Sequence, residues 1–365
     1  VVDLCVYLGE NAPVKILTHR LPVIPSGFYF DAFTSDALFT RMRAEGGKIV
    51  LSDGLSYRAM IIPRRTILTP AALALIREFE SAGVPIIRET TLESVAEGIR
   101  NHGLQPSIRL QHGDMNNHQL WFAHRETDNA ELYFLNNHGE EVIDDALFIS
   151  SPYQNAEWWN PVDNTRTRLT QTTDGAWRIH LQPKEAGFVV LSNQSVAELP
   201  PYDRGKERMV KTISDDWNVS FDKSMGGVGD VHFPQLTDWT NHTDTAIRYF
   251  SGTAIYEKEF KIKKPKARTL LRIPQLHDIA KVEVNGIDAG IIWCSPWQLD
   301  ITRFLRKGKN TLRISVANTL MNRMILDSSL PQEQRVTEAI PMIAKPTDPL
   351  TPSGIVGSVE LLEVE

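Results

Sequence analysis

The chain has 365 residues, enough for two or three domains. Its 42% hydrophobic and 23% charged residues are ordinary for folded protein, and a net charge of −6 without any block of five like charges leaves no basic footprint for nucleic acid. No apolar run approaches ~18 residues, so no membrane-crossing helix is expected. The basic run at 263–266 is too small to bind nucleic acid and reads as a solvated turn. Of the two cysteines, Cys5 sits in an apolar strand pattern and reads as core. Cys294 lies far along the chain beside Trp293. A disulfide between them is left open, and so is the redox compartment. The chain opens directly in a strand pattern, with no initiator Met or signal peptide, and so reads as part of something larger.

Residues 1–104 alternate strand and helix patterns. Val1 to Leu8 is a near-continuous apolar run, as in buried parallel strands. Ser35 to Gly46 reads as a capped helix ending on glycine. Residues 57–63 form a second apolar run. Thr69 to Gly83 gives the clearest helix: Thr69 as cap, Pro70 at the first helical position, and Gly83 past the end. A third strand, Val84 to Arg88, precedes a last helix from Leu92 to His102. This order predicts a parallel sheet with helices on its faces.

Residues 105–197 switch to a period of two. The runs 120–124, 130–135, 177–181 and 187–191 read as strands, with turns at Asn136 to Gly139 and at Asp174-Gly175. A small antiparallel sandwich is expected. A polar connection through Pro200-Pro201 leads to 207–365, which reads as all-β. There Tyr249 to Phe260 alternates, and Val282 to Trp293 is two short runs joined at Asn285-Gly286, a strong hairpin signal. Residues 296–302 and 307–316 continue the strands.

This order of strands and turns resembles the galactose-binding-like jelly roll of glycoside hydrolases. Across nearly the whole chain the sequence resembles the C-terminal half of glycoside hydrolase family 106, the α-L-rhamnosidases. The matching residues in the first segment are Pro25 to Asp31 and Ser52 to Tyr57. In the middle segment they are Tyr133-Phe134 and Glu157 to Pro161. In the last they are Trp217, Tyr249 to Ala254, Ala280 to Gly290, Trp293, Pro296, Asp300 to Thr302, Asn318 to Ile325, Leu330-Pro331, Arg335 and Ser353-Gly354. The jelly-roll motifs alone are shared with family 2 sugar-binding domains, and the first segment is what favours family 106. The resemblance implies a multidomain α/β plus all-β chain: an amidotransferase-like or flavodoxin-like domain, a small antiparallel β-sandwich, and a C-terminal galactose-binding-like jelly roll. It also implies an upstream catalytic (β/α)8 barrel, carbohydrate as partner, plant or bacterial polysaccharide as substrate, a periplasmic or secreted location, and a structural calcium.

A (β/α)8 barrel needs roughly 200 residues or more, and no segment here supplies one. Nothing pairs two carboxylates as glycoside hydrolysis requires. The amidotransferase resemblance would place a nucleophile at the elbow after Arg88, but Glu89-Thr90-Thr91 holds no cysteine. The chain is therefore expected to be non-catalytic by itself. A stand-alone carbohydrate-binding protein and a remnant of a family 2-like β-galactosidase are the alternatives.

Candidate carbohydrate contacts are Trp239 and Trp293, whose indoles could stack on sugar, with Asn322, Arg323 and Asp327 as directional polar groups. The competing reading buries Arg323 in a pair with Asp327 or Asp300. Trp297 reads equally as core. Trp158 and Trp159 point to opposite faces of a strand and read either as a platform or as an interface. Tyr29 and Asp31 are expected in a long loop facing the barrel, or else in a surface hairpin. His112 and His118, with Asp114 between them, lack zinc-ligand spacing.

Overall fold

The computed structural model describes residues 1–10, 21–263, 267–337 and 343–365. Of the basic run, Lys264, Pro265 and Lys266 lie outside the described residues. The chain divides into two compact units, Val1–Tyr202 and Asp203–Glu365.

The first unit starts with a parallel sheet in the order Phe30–Phe33, Leu4–Tyr7, Ala59–Ile61, Ile86–Ile87. Every residue of Leu4–Tyr7 is buried because both faces are covered. Cys5 and Tyr7 pack with Ile76 and Phe79 of the helix Pro70–Ser81, while Leu4 and Val6 pack with Val95 and Ile99 of the helix Leu92–Asn101. Period two in the strand thus sends alternate side chains to two different helices. The start of the helix Pro70–Ser81 follows the sequence reading. Ala72 N–H donates to Thr69 Oγ1 at 3.3 Å, with Pro70 in the first turn, and Gly83 takes φ +87° beyond the end.

Two expectations for this region are corrected. The helix from Ser35 stops at Thr40, and Met42–Glu45 pairs with Lys48–Leu51 as a hairpin. Met42 and Ala44 are half-buried while Arg43 and Glu45 face out, which is strand periodicity, and Gly46 and Gly47 supply the positive φ of the turn. Asp31 is not in a loop but in the strand Phe30–Phe33, where its carboxylate accepts a 3.0 Å hydrogen bond from the Tyr57 hydroxyl.

The rest of the unit is antiparallel. A five-stranded sheet runs Thr165–Arg168, Asn155–Asn160, Ala186–Ser192, Ala130–Asn137, Leu120–Thr127. A three-stranded sheet runs Trp177–Leu181, Ile143–Ile149, Ile108–Leu110. Their inner residues share one core. Trp158 belongs to that core, lying across Gly187 so closely that a Cβ there would sit 2.2 Å from the indole. Trp159 stays half-buried, its N–H donating to Glu157 Oε2 at 2.7 Å and the Arg166 guanidinium 5.1 Å from its ring centre.

The second unit is a sandwich of antiparallel sheets around one core. The six-stranded sheet runs Gly229–Gln235, Asp215–Phe221, Thr253–Ile262, Gly308–Ala317, Ile279–Val284, Ile287–Ile292. The four-stranded sheet runs Glu207–Ile213, Val359–Val364, Arg268–Arg272, Gln298–Asp300. A short pair joins Gln275–His277 to Gly354–Val356. The hairpin read from sequence is present, with Asn285 at φ 55° and Gly286 at φ 77° between its strands.

The Gly187→Ala substitution should destabilise the first unit by about 1–3 kcal/mol, because the indole of Trp158 must move. Chemical denaturation of both proteins checks this. Limited proteolysis should nick the connection between the units on either flank of residues 200–202. Those three are held, since Arg168 N–H donates to Pro200 O and Tyr202 N–H to Arg168 O. Two protected fragments, close to 1–202 and 203–365, are the expected products.

Candidate functional site

The sequence pointed to one end of the second unit, and the structure brings four of its five candidates together there. The short helix Met321–Asp327 follows the long strand Gly308–Ala317. Asn322 on this helix clasps residue 351, its side chain donating to Thr351 O at 2.7 Å and accepting from Thr351 N–H at 2.8 Å. It also donates to Ser353 Oγ, as Asn318 does at 2.9 Å. Arg323 N–H donates to the buried Ser251 hydroxyl at 3.0 Å. Asp327 Oδ2 accepts from Val336 N–H, Thr337 N–H and Thr337 Oγ1 at 3.1, 2.7 and 2.8 Å. The Arg323 Nε lies 2.9 Å from Asp327 Oδ1, an ion pair by distance that is not aligned as a hydrogen bond.

Trp239 completes the cluster from the opposite side. Its backbone N–H donates to Ser353 O, and its indole N–H donates to Tyr256 Oη at 2.6 Å. The ring is fully buried, edge-on to Phe221 and Phe250. It has no free face for a sugar, so the reading of Trp239 as a stacking surface is corrected. The aromatic density of Phe221, Phe250 and Tyr256 around it draws it into the core. Asn322, Arg323 and Asp327 are also buried, so this set braces the end of the sandwich. Of the alternatives read from sequence, the pairing of Arg323 with Asp327 is the one observed.

Trp293 stands apart from them, 53% exposed at the end of the edge strand Ile287–Ile292. Ile291 and Ile279, 52% and 48% exposed, share its surroundings, since Ile292 pairs with Ala280 and Ile291 with Lys281. Sequence reasoning missed both isoleucines. Their signal was available: with Ala280, Val282 and Val284 inward, Ile279 must face out. An indole flanked by apolar side chains can cover the apolar face of a sugar ring or another protein surface. Trp297 is partly buried against the core. In the first unit, Tyr29 packs edge-on to Phe122 at 6.1 Å, and its backbone N–H donates to Asp3. No disulfide joins Cys5 to Cys294, and burial pushes the Cys5 thiol well up. Among the described residues no three His, Cys, Asp or Glu side chains cluster as a metal site.

Residues 1–98 match the glycoside hydrolase family 106 profile, described as alpha-L-rhamnosidase, and residues 236–346 match the profile described as glycosyl hydrolase 2 galactose-binding domain-like. The C-terminal segment is a galactose-binding-like domain. A relative from Formosa agariphila named "Putative beta-glucuronidase" is 30% identical over an alignment of 199 residues, covering 46% of this chain and 17% of that protein. The rhamnosidase structure from Novosphingobium sp. PP1Y matches 99% of this chain and 39% of its own, at 24% identity and a TM-score of 0.72, a likeness of fold. The Ruminococcus gnavus β-glucuronidase matches 45% of this chain and 30% of its own, at 19% identity and a TM-score of 0.33. The chain thus spans well under half of each relative.

Within the galactose-binding-like domain, charge decides how the brace responds to pH. Burial alone would raise the Asp327 carboxyl. The hydrogen bonds from Thr337 and the charge of Arg323 outweigh it, so its pKa is lowered. A carboxylate with a depressed folded pKa contributes stability that is fully present above its unfolded value of ~3.9 and is lost as pH falls through the folded value. Asp327→Asn removes the charge and leaves Arg323 buried without a counter-charge, which should cost about 3–5 kcal/mol near neutral pH. Denaturation of both proteins from pH 7 to pH 3 should show a gap that is constant above about pH 5 and narrows below ~3.9.

Proposed function

We propose that this chain is the non-catalytic accessory region of an α-L-rhamnosidase-like glycoside hydrolase acting on plant or bacterial polysaccharide. Catalysis would come from a (β/α)8 barrel elsewhere in the parent protein. The observation that carries this reading is the family 106 match over residues 1–98, joined in one chain to a galactose-binding-like domain. That match also favours it over a family 2-like remnant. The parallel sheet among the described residues has four strands, whereas a barrel takes eight and roughly 200 residues or more. The strand Ile86–Ile87 leads through Glu89 and Thr90 to Thr91, the cap of the next helix, so the elbow holds no cysteine.

The accessory region would support the barrel through packed surface, and the rim around Trp293 is its best contact for carbohydrate or for the barrel. The exposed indole is also what favours the second reading, a carbohydrate-binding protein that acts without a hydrolase. Polysaccharide as substrate puts the parent in the periplasm or outside the cell.

The purified chain should not turn over an aryl α-L-rhamnoside. Enzymes accelerate such reactions by at least ~10⁶-fold, so real activity would be conspicuous. A parent protein that includes the barrel should turn it over. Hydrolysis by the chain alone, abolished by replacing one of its own carboxylates, would sink the proposal.

A further inference from the structure

The three-stranded sheet of the first unit carries an open cavity of about 310 Å³, lined by residues outside both matched profiles. This is the low end of the ~300–1,000 Å³ range of small-molecule sites. Gln111 and His112 leave the strand Ile108–Leu110 on one side, and the turn Thr172–Asp174 stands on the other. Asp144 and Asp145 lie on the central strand Ile143–Ile149, with Arg178 opposite Ala146 on the strand Trp177–Leu181. The two walls meet where the Gln111 amide donates to Asp174 Oδ2 at 2.6 Å. That bond leaves the Gln111 carbonyl oxygen as an acceptor.

One side chain in the cavity is held in a defined orientation. The Asp145 carboxylate, only 9% exposed, accepts from the His112 backbone N–H at 3.0 Å and meets His112 Nδ1 at 2.9 Å. It also accepts from Ala146 N–H at 2.7 Å. A buried acceptor held by these bonds sets the ring of an 80% exposed histidine and leaves Nε2 on the far side. The lining therefore interleaves acceptors (Asp144, Asp174, the Gln111 carbonyl) with donors (Arg178, the Thr172 hydroxyl), around a floor whose small side chain is Ala146, while the Thr173 hydroxyl donates to Asp174 Oδ1 at 2.8 Å. Such a lining suits a ligand that itself carries donors and acceptors on adjacent atoms, as the vicinal hydroxyls of a pyranose do. Three carboxylates against one guanidinium disfavour an anionic ligand.

We propose that this cleft is a binding site for a neutral pyranose, separate from the Trp293 rim of the galactose-binding-like domain. Vicinal hydroxyls bridge Asp174 and Arg178, and the oriented His112 supplies a further polar contact. The ligand class comes from the lining, so the site stands whether or not the parent protein hydrolyses rhamnosides. A single sugar ring in an open polar cleft buries little area, so the dissociation constant lies around millimolar.

The test is titration of the whole chain with L-rhamnose, D-galactose and D-glucuronic acid, monitored by calorimetry and by ¹⁵N chemical-shift mapping. A neutral sugar should shift the amides of residues 111–112, 144–146 and 172–178, and the uronic acid should bind at least tenfold more weakly. Asp174→Asn and Arg178→Ala should each weaken the neutral sugar at least tenfold with an unchanged melting temperature, because both side chains are at the surface. The amides of residues 111–112, 144–146 and 172–178 read this cleft alone, so a sugar held elsewhere on the chain leaves them unmoved. The proposal is overturned if none of these sugars shifts those amides. It is also overturned if the uronic acid binds as well as the neutral sugars, or if both cleft variants bind like the parent chain.

Discussion

The hydrogen bond from the Trp239 indole to the Tyr256 hydroxyl is the contact around which the C-terminal unit closes. Both rings are fully buried, so each polar atom must find its partner inside the core. The bond ties the loop at 236–243 to the long central strand Thr253–Ile262. It also dictates what passes beside it. A Cβ at Gly354 would lie 2.3 Å from the indole nitrogen and 2.7 Å from the tyrosine oxygen, and the backbone there takes φ +90°. Only glycine meets both demands. Ser353, fixed by that approach, receives Asn318 and Asn322 and so sets where the helix Met321–Asp327 begins. The Arg323–Asp327 pair then holds the chain at Val336 and Thr337.

The first unit relies on a comparable buried hub. Asp3, ahead of the first strand, accepts from Arg58, Ser107 and the Tyr29 backbone. These partners belong to the second apolar run, to the start of the antiparallel region and to the approach to the strand Phe30–Phe33. One carboxylate thus fastens the parallel sheet to the antiparallel region. Nearby, His124 stacks on Tyr133 at 4.0 Å. Burial pushes its pKa down, so it is neutral near pH 7. Burial also raises the Glu131 carboxyl, whose Oε2 lies 3.8 Å from His124 Nε2. Burial thus disfavours the charged form of both groups.

The site was only partly readable before folding. That Asn322, Arg323 and Asp327 belong together came from an Asn-Arg pair and an aspartate set in an otherwise apolar run where a strand ends; that the run is a short helix came only from the structure. Whether they face a ligand or each other was beyond that pattern, because it depends on Ser251, Ser353 and Thr337, which are distant in the chain. Trp239 shows the same limit. Its polar neighbours Thr237, Asp238, Thr240 and Asn241 suggested an exposed loop, yet the indole turns inward to three aromatic rings. Trp293 has apolar neighbours in Ile291 and Ile292, yet it is exposed because its strand is the outermost of six.

The sequence by itself determined the local elements whose causes are local. These include the Thr69–Pro70 helix start, the Asn285-Gly286 turn, the buried run at Leu4–Tyr7, and the change from alternating α/β to antiparallel pattern. Each rests on backbone sterics or on side-chain periodicity within a few residues. Only the tertiary structure decided that Met42–Glu45 is a strand, that Asp31 supports Tyr57, that Trp239 is core, and that Asp144, Asp174 and Arg178 line one cleft. Ile143–Ile149 escaped the pattern because Asp144 and Asp145 interrupt its alternation, and what rescues it as a strand is pairing on both sides. The physical reason is common to all of these. Burial and hydrogen-bond partnership are set by residues far apart in the chain, and no short-range pattern encodes which of them will meet.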